Sequence, residues 1–104
     1  MITGKGVYML QRDDFITRLA QKGYTKHEAG IIIDDFIRTL EEILVEGESV
    51  MFRGFGTFDV RERSEREGVD PQSKERIVIP SYRAPKFTPG NLLKREVKEG
   101  IIRD

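Results

Sequence analysis

Basic side chains recur along residues 53–91, and of all residues in this sequence they are the best suited to bind a polyanion. Acidic residues are interspersed among them. A segment this charged has little to bury, so it either stays solvated and internally salt-bridged or lies against a partner, and a basic ribbon with an apolar tip suits a nucleic-acid groove. The candidate phosphate contacts along the segment are Arg61, Arg63, Arg66, Lys74 and Arg76, and those near its base or on the following helix are Arg53, Arg83, Lys86 and Lys94.

No other group of residues suggests catalysis or metal binding. His27 is the only histidine and the chain has no cysteine, which leaves no metal-ligand spacing and no nucleophile–base pair. Two acidic pairs, at residues 34–35 and 41–42, fall on a predicted helix, where sequence neighbours point apart. We therefore expect no enzyme activity, metal, cofactor or small-molecule substrate.

Length and composition indicate one domain over residues 1–104, with residues 1–9 as a flexible extension. The lack of cysteine fits a reducing compartment, and no apolar run or leader pattern indicates a membrane partner or secretion, so a cytoplasmic protein is expected. The net charge is zero, which argues against a strong general polyanion binder. The charge is uneven, however: residues 1–52 carry six Lys/Arg and nine Asp/Glu, whereas residues 53–90 carry eight and six.

Apolar spacing predicts a helical hairpin in the first half of the chain. Helical periodicity begins near Arg12 and is stopped by Gly23. Thr25 and Glu28 form a capping box that opens a second helix, and Gly47 is a natural stop. The second helix has one wide apolar stripe, formed by Ala29, Ile32, Ile33, Phe36, Ile37, Leu40, Ile43 and Leu44.

The second half predicts strands and a short helix. Residues 49–53 form a short strand, Gly54-Phe55-Gly56 forms a tight connection, and residues 57–66 alternate as a second strand that returns over residues 74–83. Asp70 and Pro71 suit the first two positions of a type I turn at the tip. Thr88 is the expected N-cap of the last helix, with Pro89 at its first position.

These motifs, in this order and spacing, resemble the HU/integration host factor family of bacterial histone-like DNA-bending proteins. The similarity runs without a gap from about residue 49 to 98 and less tightly back to about residue 10. Its signature residues are Gly54-Phe55-Gly56-Thr57-Phe58, Val60-Arg61-Glu62-Arg63, Asp70-Pro71-Gln72, Ile79-Pro80 and Phe87-Thr88-Pro89-Gly90.

The resemblance implies an α+β fold: an N-terminal helical hairpin, a three-stranded antiparallel sheet with a long β-arm at about residues 61–80, and a short C-terminal helix. It implies an intertwined homodimer, or a heterodimer with a paralogue, that binds double-stranded DNA in the minor groove and bends or compacts it in the nucleoid. Pro71 would intercalate at the arm tip. A body of under 80 residues is marginal alone, so we expect a dimer core, comprising Phe36, Leu40, Leu44, Phe52, Phe55 and Phe58.

The arm departs from the family pattern at its tip. Glu67, Val69 and Asp70 stand where the family usually has lysine, arginine and asparagine, and Thr88 and Asn91 replace usual lysines. These changes predict weaker binding at the tip and a flatter dependence on salt. They also motivate an alternative, in which an HU-like scaffold with reduced general affinity acts only on distorted DNA or serves as a protein–protein module.

Overall fold

A computed structural model describes residues 9–102 of the chain, which divides between residues 41 and 42 into two compact units. The first unit contains α1 (Arg12–Ala20) and most of α2 (Lys26–Val45), whose last turn belongs to the second unit. The second unit contains a three-stranded antiparallel sheet of β1 (Val50–Phe52), β2 (Gly56–Arg63) and β5 (Tyr82–Pro89), in the order β1-β2-β5. It also contains a two-stranded ribbon of β3 (Arg66–Val69) and β4 (Arg76–Ile79), followed by α3 (Asn91–Glu99). The predicted α+β architecture is confirmed.

Side-chain caps fix where α1 and α2 begin. At α1 the backbone N–H of Gln11 donates to the Asp14 carboxylate at 2.9 Å. At α2 the predicted capping box is present: Thr25 N–H donates to Glu28 Oε1 at 2.8 Å, and Glu28 N–H donates to Thr25 Oγ1 at 3.0 Å. These bonds satisfy amides that have no partner within the helix.

Gly47 ends α2 as the sequence predicts. Its φ is 85°, and its N–H donates to Leu44 O at 2.9 Å, while Glu48 N–H donates to Ile43 O at 3.1 Å. This pair of bonds is a Schellman motif, which needs a left-handed residue at the position that Gly47 occupies. The chain is thereby turned directly into β1.

The arm is divided into an inner and an outer part. Arg63 lies opposite Tyr82 at the end of the β2–β5 ladder, and Arg66 lies opposite Ile79 at the start of β3–β4. Residues 64–65 and 80–81 between them belong to no strand. Pro80 has no N–H to donate to a ladder, which explains why pairing lapses there. The continuous strands predicted over residues 57–66 and 74–83 are therefore wrong in extent.

The predicted start of the last helix is also wrong. Thr88 and Pro89 belong to β5, where they pair with Thr57 and Gly56, and Gly90 is the N-cap of α3. The residue pattern fits a helix start, but the sheet pairing with β2 overrides that local preference. Prolines are tolerated in β5 because it is an edge strand.

Close packing around the β1–β2 turn explains the glycines at positions 56 and 90. A Cβ on Gly56 would lie 2.5 Å from a Phe87 ring carbon and 2.7 Å from Thr88 O. A Cβ on Gly90 would lie 3.2 Å from the Gly54 backbone. Gly90 N–H donates to Phe55 O at 2.9 Å, and so the amino end of α3 is held against this turn.

Candidate nucleic-acid interface

Two of the five predicted cations on the arm are engaged by acidic neighbours. Arg61 Nε lies 3.3 Å from Asp59, two residues away on the same face of β2. Arg76 Nη2 lies 3.2 Å from Glu67 across the β3–β4 ribbon. The Arg76–Glu67 pair is well exposed, and exposed ion pairs contribute little to stability, whereas the Asp59 side chain of the other pair is largely covered. A phosphate must compete with a carboxylate at each of these two positions.

The other three arm cations, Arg63, Arg66 and Lys74, are exposed, and their side chains make no ion pair or hydrogen bond within residues 9–102. Residues 61–80 contain five Lys/Arg and five Asp/Glu, so the arm as a whole is neutral. The sequence predicted the cations but gave no means of telling the paired ones from the free ones.

The predicted contacts outside the arm occupy different places in the second unit. Arg83 Nη2 donates to Val45 O at 3.0 Å, where it interacts with a carbonyl at the carboxyl end of α2. Lys86 lies opposite Asp59 in the β2–β5 ladder. Arg53 is exposed in the β1–β2 turn, and Lys94 is exposed on α3.

The arm tip is a closed loop held by its own hydrogen bonds. Asp70 N–H donates to Glu75 O at 2.9 Å, and Lys74 N–H donates to Asp70 O at 2.8 Å. The bond to Asp70 O therefore comes from Lys74, one residue later than in the standard type I turn that the sequence predicts. Gln72 N–H donates to Asp70 Oδ1 at 2.9 Å, which lowers the pKa of the Asp70 carboxyl. Pro71 is exposed at the apex of this loop.

Four phenylalanines of the second unit form one cluster. The ring centroids of Phe58 and Phe87 lie 4.6 Å apart, those of Phe55 and Phe87 5.4 Å, and those of Phe52 and Phe58 6.3 Å. Phe87 was missing from the predicted core, although its pairing with Phe58 in the ladder makes it a central member. The sequence interpretation ended the return strand at residue 83, whereas β5 continues to Pro89, and so Phe87 was left outside the predicted sheet.

Three of the six predicted dimer-core residues are exposed in a single chain, and the other three are half-buried. Phe36 is 45% exposed and Phe55 is 46% exposed, and Phe52 is also exposed. Leu40, Leu44 and Phe58 are half-buried. Within the described residues only two hydrophobic side chains, Ile16 and Ala29, are buried. Large apolar side chains left this accessible are typical of a surface that another chain covers.

Arg12 is bound within the helical unit. Its Nε and Nη2 donate to the two carboxylate oxygens of Asp34 at 2.9 and 2.8 Å, which lowers the pKa of Asp34 and raises that of Arg12. The two residues are 22 positions apart, and the sequence did not indicate the pairing. Within residues 9–102 no cluster of acidic, histidine or cysteine side chains is arranged to hold a metal, and no helix is long and apolar enough to cross a bilayer.

Comparison with known proteins decides the family. A family model described as "Bacterial DNA-binding protein" matches residues 10–98. The chain belongs to this family, and its relatives are HU proteins. The DNA-binding protein HU of Thermotoga maritima is 41% identical over 90 residues, which cover 86% of this chain and 100% of that protein. The SPbeta prophage-derived DNA-binding protein HU 2 of Bacillus subtilis is 41% identical over 86% of this chain and 98% of its own length.

Solved structures of HU proteins share the fold. An Anabaena HU–DNA cocrystal structure superposes with a TM-score of 0.81 at 32% identity, covering 85% of this chain and 97% of that one. HU from Thermotoga maritima superposes with a TM-score of 0.61 at 30% identity, covering 85% and 98%. The resemblance inferred from the sequence is confirmed. The comparisons favour a DNA-binding protein over the alternative of a protein–protein module.

Proposed function

We propose that this protein is a non-catalytic architectural protein that binds double-stranded DNA as a dimer, with two arms in the minor groove, and bends it. One observation carries the proposal: a solvent-exposed ribbon presents free cations along its length and a proline at its apex, in a chain of the bacterial DNA-binding family. The cocrystal of the Anabaena HU with DNA supports the same kind of partner for this chain. The place of action is the nucleoid of the bacterial cytoplasm.

Phosphate contacts supply the affinity in this proposal. Arg63, Arg66 and Lys74 have no carboxylate partner, so a dimer offers six free arm cations. Because each neutralised phosphate contributes about −0.9 to the salt slope of duplex binding, these six arm cations contribute about −5 to that slope. The DNA backbone on either side would be bound by Arg53, Lys86 and Lys94. Arg83 would also bind it, through the guanidinium N–H groups that do not donate to Val45 O. Engagement of Arg61 and Arg76 by carboxylates keeps the slope shallower than ten free cations would give.

Pro71 is the proposed wedge. It lies at the apex of a loop whose conformation is fixed by the Asp70 hydrogen bonds, so its ring is presented rigidly. Inserting an apolar ring between base pairs costs a few kcal/mol per step, and the bend that results brings more DNA backbone within reach of the protein. The minor groove distinguishes little beyond A·T from G·C, so the sequence preference is weak.

The exposed aromatic and aliphatic side chains support the dimer. The second chain would cover two sets of apolar side chains: Phe36, Leu40 and Leu44 on α2, and the cluster of Phe52, Phe55, Phe58 and Phe87. A homodimer satisfies this requirement with one gene product, and a paralogue could replace one chain. Sedimentation of the wild-type protein as a folded monomer at micromolar concentration would contradict the dimer.

A gel-shift series tests the DNA partner. Linear, nicked and four-way-junction DNA are each titrated at moderate salt, and we expect all three to bind. Binding to the nicked and junction forms alone would restrict the function to distorted DNA. Absence of binding to every form at low salt would refute the proposal.

Fluorescence transfer between the ends of a DNA fragment tests the wedge. Pro71→Ala removes the rigid ring, and we expect a smaller bend with the duplex still bound. Gln72→Ala is the matched control at the tip, because the bond from Gln72 to Asp70 uses the backbone N–H and survives the change. An unchanged bend in Pro71→Ala would reject the wedge while leaving DNA binding in place.

A further inference from the structure

Lys74 is held in a left-handed backbone conformation at the arm tip. Its φ is 66°, and every other residue with a positive φ in the described part of the chain is a glycine. A lysine Cβ crowds the neighbouring carbonyl oxygen in this region, so the conformation is strained. Strained residues persist where their surroundings hold them, and they cluster at functional sites.

The hydrogen bonds of the loop hold Lys74 in place but do not require a lysine. Its N–H donates to Asp70 O at 2.8 Å, and the adjacent Glu75 N–H donates to Ser73 Oγ at 3.2 Å. Both bonds use the backbone at positions 74 and 75, and glycine or asparagine would make the first one with less strain. The turn itself therefore does not explain the lysine side chain.

The charges at the tip give a reason for it. Residues 70–75 contain two acidic side chains, Asp70 and Glu75, and one basic side chain, that of Lys74. The Asp70 carboxylate accepts the Gln72 N–H, so it stays ionised at neutral pH. Without Lys74 the loop that carries Pro71 would have two negative charges and would be repelled by the DNA phosphates.

We infer that Lys74 supplies the charge that lets Pro71 enter the duplex, by binding the phosphate beside the wedge and balancing Asp70. The inference rests on the proposed function and deepens it. It assigns the strained residue a specific role: Lys74 acts where the DNA is kinked, whereas Arg63 and Arg66 bind backbone further from the tip, where the inner ladder meets the outer ribbon. Loss of the Lys74 charge should therefore reduce the bend as well as the affinity.

Four variants test this role. Lys74→Asn and Lys74→Gly remove the charge and accept the left-handed conformation, and Lys74→Arg keeps the charge. Lys22→Asn is the matched control, because it removes one exposed lysine charge from the α1–α2 connection. Thermal melts confirm folding, and relief of strain predicts that the asparagine and glycine variants melt no lower than wild type.

The readouts are the salt slope and the bend angle of the full-length protein on a DNA duplex. Removing one phosphate contact per arm should make the slope shallower by about 1.8 per dimer. The affinity advantage of wild type over Lys74→Asn should then shrink about tenfold between about 50 and 200 mM salt. Lys74→Arg and Lys22→Asn should keep the wild-type slope and bend.

The outcomes separate the inference from the proposed function. If wild type binds and bends the duplex while Lys74→Asn keeps its slope and bend, the role of Lys74 is refuted and the proposed function stands. A loss in Lys74→Asn no larger than that in Lys22→Asn refutes it equally. If wild type binds no duplex at low salt, both fail.

Discussion

Removing the carboxylate at position 67 should strengthen DNA binding. In the structure Glu67 holds Arg76 at 3.2 Å, and both side chains are well exposed, at 70% and 84%. An ion pair this exposed contributes about 0–1 kcal/mol, so Glu67→Gln should leave the stability of the arm nearly unchanged. The variant releases one arginine in each arm and removes a charge that repels phosphate.

The magnitude follows from counterion release. Two additional phosphate contacts per dimer should steepen the salt slope by about 1.8. At about 0.1 M salt the same two contacts raise the affinity by up to about 60-fold, and the gain disappears as the salt approaches about 1 M. The prediction therefore concerns the slope first and the affinity second.

Fluorescence anisotropy of a labelled duplex, titrated across salt, measures both quantities. Glu65→Gln is the matched control, because Glu65 lies on the same arm and makes no ion pair within residues 9–102. It removes the same charge without releasing an arginine. The double variant Glu67→Gln/Arg76→Gln should lose the added slope. Equal slopes for the Glu67 and Glu65 variants would refute the reasoning that the ion pair withholds Arg76 from DNA.

Three further changes probe the fold and the assembly. Arg12→Gln removes the partner that lowers the pKa of Asp34. A lowered pKa in the folded state stabilises the protein at pH values above the unfolded pKa of 3.8, and this stabilisation is lost as the pH falls through the folded-state pKa. Wild type should therefore melt at a higher temperature than the variant at pH 7, and the two should melt together in strong acid. Gly56→Ala should lower the free energy of unfolding by more than about 2 kcal/mol in denaturant titrations, since the new Cβ would meet a phenylalanine ring and a backbone carbonyl. Gly23→Ala, at a position with a positive φ and open space, should lower it by only about 1 kcal/mol. Phe36→Asp should convert the dimer to monomer in sedimentation experiments, because it charges a side chain expected in the subunit interface; an unchanged dimer would exclude Phe36 from that interface.

Features set by neighbouring residues could be predicted from the sequence. The capping box of Thr25 and Glu28 and the glycine stop at Gly47 depend on bonds that span three to five residues, so the local pattern is sufficient. The glycine-rich turn and the position of Pro71 at the apex were likewise evident. The family motif then supplied the topology, which no local pattern specifies.

Features set by pairing across the chain could not be predicted in the same way. Thr88 and Pro89 read as a helix start, and only the β2 partners opposite them show that they are strand. Carboxylates three or more residues from an arginine are common on this chain, so the sequence could not single out Glu67 as the partner of Arg76. The left-handed conformation of Lys74 was hidden for a related reason, since lysine gives no sign of a positive φ.

The lapse in pairing at residues 64–65 and 80–81 gives each arm a point at which it could bend. No ladder bond spans that step, so a change in the angle between the outer ribbon and the inner ladder would break no hydrogen bond of either. An arm that bends at this point could keep the same contacts with the DNA backbone on duplexes of different curvature. The binding affinity would then depend on the energy needed to bend the DNA, and flexible base-pair steps would be favoured although the protein contacts no base edge.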